Sequence, residues 1–271
     1  MLKDITIGQH FPGKSPVHNL DARLKIIFTV VYVVVLFMST NIPGLVMSGL
    51  IVLVMYKVAG IPLKMLQKSL KPMMPLIFFT VVLNLFFIKG TTPLVTIWKL
   101  SIYPEAVIFC IVMICRIVFL ISGTSLLTYT TSTIALTDGL EAVMKPLNKI
   151  HFPVHEMAMM MTIALRFIPT LIEETEKIMN AQKSRGALLD SGTLMERIRA
   201  LVPILVPLFI SAFRRAEELA TAMECRCYHG GEGRTRLRQL KITDSDIRSA
   251  VICTVIFAVI IGMKFVFPRV I

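Results

Sequence analysis

Residues 156–186 read EMAMMMTIALRFIPTLIEETEKIMNAQKSRG, and the two halves of this stretch suit different solvents. The first half is apolar nearly all round, with Met157, Met160, Ile163, Leu165, Ile168, Leu171 and Ile172. The second carries Glu173, Glu174, Glu176, Lys177, Gln182 and Lys183, while Ile178 and Met179 keep a narrow apolar stripe. This pattern predicts one long helix that starts against a membrane or a helix bundle and ends in water. Gly186 stands where a helix C-cap belongs, and Arg185 suits the negative end of the helix dipole. Residues 192–228 repeat the plan, apolar over 201–213 and charged beyond. In that tail Phe213, Ala216, Leu219, Ala220 and Met223 mark one face, and Arg214–Glu218 forms an i, i+4 pair on the other. Neither apolar half reaches the roughly 18 residues of a spanning helix, and Pro169, Pro203 and Pro207 punctuate them.

Outside this polar third the chain is far more apolar. Of 271 residues 55% are hydrophobic and 17% charged, against about 25% charged in a soluble domain. Five runs are near the length needed to cross a bilayer: 24–39, 44–60, 72–88, 104–129 and 247–267. Between the second and third, residues 64–71 set Leu63, Leu66 and Leu70 on one face and Lys64, Lys68 and Lys71 on the other, the pattern of a short interfacial helix. Trp98 and Tyr103 lie in the next loop, where interfacial aromatics are expected. The fold class is therefore all-α: a polytopic membrane protein of about five spans plus long cytoplasmic helices. Its divisions are 1–131, 132–245 and 246–271. Residues 1–16 hold no apolar h-region, so no cleaved signal is expected.

The net charge of +12 is located beside the apolar runs. Residues 133–249 hold 16 of the 29 Lys and Arg but also 14 of the 17 Asp and Glu. Lys3, Lys14, Arg23, Lys25 and then Lys57, Lys64, Lys68 and Lys71 flank hydrophobic segments, so the N-terminus and the 57–71 loop are expected inside. Residues 89–103 then lie outside, 133–249 inside and the C-terminus outside. That distribution predicts a bilayer partner and no nucleic acid.

The two long helices end alike. Ala181-Gln-Lys-Ser184-Arg185-Gly186 and Ala222-Met-Glu-Cys225-Arg226-Cys227 share Ala, two residues, a small residue and then Arg. One such end is an ordinary cap; two on consecutive helices point to a paired site, because a guanidinium fork suits a partner's carboxylate. Together with Met161-Thr-Ile-Ala-Leu-Arg-Phe-Ile-Pro169 and Ser15-Pro-Val-His-Asn-Leu-Asp21-Ala-Arg23-Leu-Lys25, these stretches resemble the transmembrane T component of energy-coupling factor transporters over nearly the whole chain. The resemblance implies a non-catalytic scaffold in a bacterial cytoplasmic membrane, joining two ABC-type ATPases to one membrane-embedded S component that carries a vitamin or metal ion. It also implies that Ser184-Arg185-Gly186 and Cys225-Arg226-Cys227 are ATPase-docking triplets, departing from Ala-Arg-Gly at Ser184, Cys225 and Cys227. No Gly-x-x-x-x-Gly-Lys-Ser/Thr motif is present, so ATP and magnesium belong to the partners and no cofactor to this chain. The S-component surface is expected within 134–165, on Met157, Met160, Met161, Ala164 and Leu165, where thioethers deform to fit different partners.

Other residues invite a different class. His151 and His155, or Cys225 and Cys227 with His229, raise a metal-dependent membrane enzyme as the alternative. Against it, Pro153 interrupts the histidine pair, and the cysteine spacing is tighter than at zinc sites. The five cysteines form no disulfide framework. Arg116, central in the fourth run, must face protein or a wet cavity; Asn84 is a candidate partner. The basic run Arg234, Arg236, Arg238 and Lys241 reads as a lipid-headgroup anchor.

Overall fold

The computed structural model describes residues 10–13, 15–39, 41–88, 95–97, 100–150, 152–187, 193–230 and 242–266. The chain divides into two compact units, one over Gly8–Leu140 and Leu240–Ile271, the other over Met1–Ile7 and Glu141–Gln239. His151, Trp98 and the basic run 234–241 fall outside the described residues.

The first unit begins with α1 (Pro16–Asn19), capped by Ser15. Then come α2 (Ala22–Met38), α3 (Ile42–Ala59) and α4 (Leu63–Leu70). A 3-10 turn over Lys71–Met73 leads into α5 (Met74–Phe87). A short antiparallel hairpin, β1 (Val95–Ile97) with β2 (Leu100–Ile102), precedes α6 (Pro104–Thr130). α7 (Thr133–Met144) is shared between the units, and α10 (Asp244–Val266) returns to the first. Among the described residues the protein is thus helical but for the hairpin, and four helical stretches there are long and apolar enough to cross a membrane: Ile42–Ala59, Leu63–Phe87, Pro104–Thr130 and Asp244–Lys264. α2, with 17 residues, sits at the lower bound for crossing. The interfacial helix expected at 64–71 is α4, and it runs on through the 3-10 turn into the third span as a 25-residue path. Pro72 and Pro75 remove backbone donors at that junction, which is why the winding tightens there.

Lipid tails are as apolar as leucine, so burial of apolar surface does little to hold these helices together; close packing and polar contacts must do it. Small residues supply the first. A Cβ on Gly49 would lie 2.3 Å from the Phe119 ring, and one on Gly123 would lie 2.4 Å from the Tyr32 ring. Hydroxyls supply the second. Tyr56 donates to the Ser122 carbonyl (3.1 Å) and Tyr32 to that of Phe119 (3.2 Å), pinning α3 and α2 to α6. Outward-facing Val30, Val34, Val46, Leu50, Phe78, Phe79 and Val255 are exposed, as lipid contact requires.

Arg116 donates to the Ser39 carbonyl at 2.9 Å, at the C-cap of α2. The contact corrects the expectation of an Asn84 partner, since Asn84 donates instead to Thr80 O, one turn back in its own helix. A helix C-terminus presents carbonyls without intrahelical donors, and a guanidinium satisfies one while keeping its charge inside protein.

The Ser15–Lys25 segment builds a buried polar knot. His18 bridges Ser15 Oγ (2.7 Å) and the Phe11 carbonyl (3.0 Å), and burial lowers the imidazole pKa from its ordinary value, favouring the neutral ring that this bridge uses. Asp21 caps α2 by accepting from Arg23 N, and Lys25 Nζ reaches the carbonyls of His18 (2.9 Å) and Thr130 (3.0 Å), closing the C-termini of α1 and α6. Asp246, 2% exposed, accepts from the backbone N–H of Asp21 (3.0 Å) and of Thr243 (2.8 Å), which ties α10 to α2. Replacing Asp246→Ala strands two buried donors and is expected to cost about 2–4 kcal/mol. The unfolding temperature in mild detergent should fall well below that of Asp246→Asn, which keeps one acceptor; equal values for the two would refute the assignment.

Candidate functional site

In the second unit, two helices of 31 residues each dominate: α8 (Val154–Ser184) and α9 (Leu194–Glu224). A 3-10 stretch, Lys145–Ile150, precedes α8, and His155 Nδ1 donates to Glu141 Oε1 of α7 at 3.1 Å. At the start of α9 the Thr193 N–H bonds Glu196 Oε2 at 2.8 Å. Both helices run on through their prolines, Pro169 in α8 and Pro203 and Pro207 in α9. Pro207 has no N–H for the carbonyl of Pro203, and that carbonyl accepts from Gln182 Nε2 of α8 at 3.4 Å.

α8 and α9 run antiparallel. Gln182, near the end of α8, meets Pro203, near the start of α9, while Ile163 and Phe167 line a cleft with Ala220 and Met223. Between these levels Glu174 accepts from Ser211 Oγ and from Arg215 Nη2. This ion pair, only partly exposed, is the polar pin of an otherwise apolar contact. Beside it lies a cleft of about 250 Å³, lined by Ile163, Phe167 and Leu171 of α8 and by Ala212, Ala216 and Leu219 of α9 among others. The Arg214–Glu218 pair expected from spacing does not form; Arg215, one position on, turns inward to Glu174 instead. An exposed i, i+4 pair contributes only ~0.3–0.5 kcal/mol, less than a partly buried charge-assisted bond.

The two helices terminate identically. After α8, Gly186 N bonds Lys183 O (2.9 Å), Ala187 N reaches back to Gln182 O (3.0 Å), and Gly186 adopts φ +86°. After α9, Cys227 N bonds Glu224 O (2.8 Å), Tyr228 N reaches back to Met223 O (3.1 Å), and Cys227 adopts φ +56°. Both are Schellman ends with a left-handed residue directly after the arginine. Cys227 therefore occupies a glycine's place, the one non-glycine with positive φ among the described residues. An offset of 41 residues carries Ala181 onto Ala222, Arg185 onto Arg226 and Gly186 onto Cys227. It also carries Glu174 onto Arg215, so the pin joins equivalent positions and the two helices are related by a local two-fold through it. Each arginine stands eleven residues beyond the pin, on opposite sides, which separates the tips by roughly 33 Å.

Ala181, Ser184, Arg185 and Gly186 are exposed, as are Ala222, Cys225, Arg226 and Cys227. Among the described residues neither guanidinium has a hydrogen-bond or ion-pair partner, so both forks are open to a carboxylate from outside. Met157, Met160, Met161 and Ala164 are also exposed on α8, and Leu165 is half-buried. A second apolar surface, absent from the expected site, lies on α9, where Val202, Leu205, Val206, Phe209, Ile210 and Phe213 are 45–69% exposed. The pin was likewise missed in the sequence; the 41-residue offset between the two arginine ends is the signal that points to it. Of the residues that invited a metal reading, His155 is engaged by Glu141, and Cys225 and Cys227 are free thiols at the tip of α9. No group of three His, Cys, Asp or Glu side chains among the described residues is placed to hold a metal ion.

Comparison with known proteins agrees with the helical plan. The family described as CbiQ, cobalt transport protein, matches residues 13–237. The chain is 51% identical over 260 residues to the energy-coupling factor transporter transmembrane protein EcfT of Clostridium kluyveri, covering 96% of each chain. It is 50% identical to the EcfT protein of Thermosediminibacter oceani, covering 95% of this chain and 97% of that one. To the Bacillus subtilis EcfT protein it is 42% identical, covering 96% and 98%.

The two left-handed caps make opposite predictions at equivalent sites. A Cβ at Gly186 would meet open space, so φ alone opposes it. Gly186→Ala is expected to weaken its cap by about 1 kcal/mol, and Cys227→Gly to strengthen its own by a similar amount. Amide exchange should then speed up about fivefold at Ala187 in the first and slow about fivefold at Tyr228 in the second. No change at either amide would mean the caps do not limit fraying.

Proposed function

Because the chain belongs to the CbiQ family and is a transmembrane component of an energy-coupling factor transporter, we propose that it joins two ABC-type ATPases to a membrane-embedded S component that carries a vitamin or other micronutrient. Arg185 and Arg226 are the docking groups, each set in its triplet, Ser184-Arg185-Gly186 or Cys225-Arg226-Cys227, with Ala181 and Ala222 one turn below. The observation that carries this reading is the duplicated helix end: two arginines without partners, equally capped, equally far from one pin and pointing to opposite ends of the pair. A single partner surface does not match two tips roughly 33 Å apart, whereas two copies of one kind of domain do. Each fork accepts a carboxylate in a groove, and the Schellman turn behind it keeps the backbone from following when the partner pulls.

ATP and magnesium act in the ATPases, and this chain holds no cofactor and breaks no bond. Its contribution is mechanical: the ATPases approach and separate, the tips move with them, and the pinned pair turns that motion into a shift of the apolar surfaces above. Met157, Met160, Met161, Ala164 and Leu165 form the S-component contact in this reading. The membrane is the bacterial cytoplasmic membrane, with the N-terminus on the inside.

A tagged chain extracted from membranes in mild detergent tests the proposal. Wild type should bring down two ATPase chains; Arg185→Glu or Arg226→Glu alone should cut recovery roughly tenfold, as loss of a charge-assisted fork implies, and the double variant should abolish it. Undiminished ATPase recovery by the double variant, or none by wild type, would overturn the reading.

A further inference from the structure

Residues 22–104 hold eight Lys and Arg and not one Asp or Glu. Half of those bases, Lys57, Lys64, Lys68 and Lys71, gather where α3 turns into α4, and all four are exposed. Among the described residues none of the four ammonium groups has a hydrogen-bond or ion-pair partner. The local sequence supplies no carboxylate to neutralise them.

The corner that carries these lysines is fixed in place. α3 ends with Gly60 at φ +69°, where Gly60 N bonds Lys57 O and Ile61 N reaches back to Tyr56 O, both at 3.1 Å. Ile61 is buried, and the Pro62 carbonyl accepts from Met65 N as α4 begins. From α6, the Tyr129 hydroxyl donates to the Met65 carbonyl at 3.1 Å and accepts from Ser69 Oγ. At 100° per residue α4 then has three sides, each about a third of a turn from the next. Met65 and Ser69 mark the side tied to α6. Leu63, Leu66 and Leu70 form an apolar side, with Leu63 57% exposed. Lys64, Lys68 and Lys71 form the third.

α4 runs without a gap into the spanning path Leu63–Phe87. The three lysines fall in the first nine residues of that path, and residues 72–87 carry no charge, which sets α4 where acyl chains give way to headgroups. A bundle at one flank, chains under the leucines and headgroups over the lysines account for all three sides. A soluble acidic partner would satisfy the lysines and leave the leucine side in water.

We propose that α4 lies in the plane of the membrane interface and binds anionic phospholipid headgroups through Lys64, Lys68 and Lys71, with Lys57 at the margin. The tie to Tyr129 makes the site preformed. Membrane charge holds α4, and α4 holds the last turn of α6 at a fixed depth.

The test uses the full-length chain in vesicles of equal parts phosphatidylglycerol and phosphatidylcholine, with a photo-reactive group at the headgroup end of one lipid or the other. Each lysine beside an anionic surface contributes about fivefold to binding, shared among the lipids it meets. Labelling of residues 57–71 by phosphatidylglycerol should therefore exceed that by phosphatidylcholine roughly tenfold, and the excess should contract at about 0.5 M salt. Lys64→Gln, Lys68→Gln, Lys71→Gln together should bring the ratio below about twofold, while the three Lys→Arg changes keep it. Labelling at the separate basic run 234–241 should be the same in all variants, which shows that each is inserted. Equal labelling of wild type by both lipids, or an excess that survives the glutamine changes, would overturn the proposal. Glutamine variants that lose a co-purifying ATPase while their lipid ratio is unchanged would make the stripe a protein interface and reject it as well.

Discussion

Two antiparallel helices built on one plan meet at equivalent residues, and equivalent residues of the same charge would repel. The pair Glu174 and Arg215 resolves this by breaking the symmetry at its centre, one position acidic and its counterpart basic. Ser211 adds a hydroxyl to the carboxylate, so the acid is held from two sides. Around it the contact is made by small and aliphatic groups, Leu171, Ala212, Ala216 and Leu219, which fill space without choosing a register. The ion pair chooses. Sliding one helix by a single turn would bring Glu174 opposite Leu219 or remove it from Ser211, leaving a partly buried carboxylate unpaired. Everything described at the tips, including their equal distance from the crossing, depends on that register.

The first unit is held by a different device. Its helices are apolar on faces turned toward lipid and toward each other, so burial alone would not specify how they pack. Glycines at 49 and 123 let aromatic rings approach backbone, and tyrosine hydroxyls then reach carbonyls on the neighbouring helix. Three buried or half-buried charges act on the ends of helices. Lys25 closes α1 and α6, Arg116 closes α2, and Asp246 accepts two backbone donors at the entrance to α10. Each of these costly groups is used on orphaned backbone polar atoms, which are as costly in a membrane as the charge itself.

Much of this was legible in the residues because solvent writes it there. Runs of apolar residues gave the spans to within a few positions, and the switch from apolar to charged gave both long helices; Gly186 marked one end. The cap at Cys227 was less visible, since cysteine rarely takes positive φ and only the likeness to the Ser184-Arg185-Gly186 end hinted at it. Contacts between distant residues were the hard part. Spacing along one helix favoured Arg214 with Glu218 and a single-run view favoured Asn84 for Arg116, yet the ion pair forms at Arg215 with Glu174 of the other long helix, and Arg116 meets the Ser39 carbonyl at the end of α2. Periodicity describes a helix by itself and carries no information about which neighbour will stand against it.

The arginines lie eleven residues from the pin on each helix, so the crossed pair is a lever with arms of equal length, roughly 16 Å each. A turn of one helix by about 10° about its fulcrum moves that tip by about 3 Å, less than the width of a side chain. Equal arms mean a mechanical ratio of one, so neither end gains force at the expense of travel. Work delivered at the two ends arrives at the fulcrum in balance, and an imbalance between them appears as a torque that tilts the crossing.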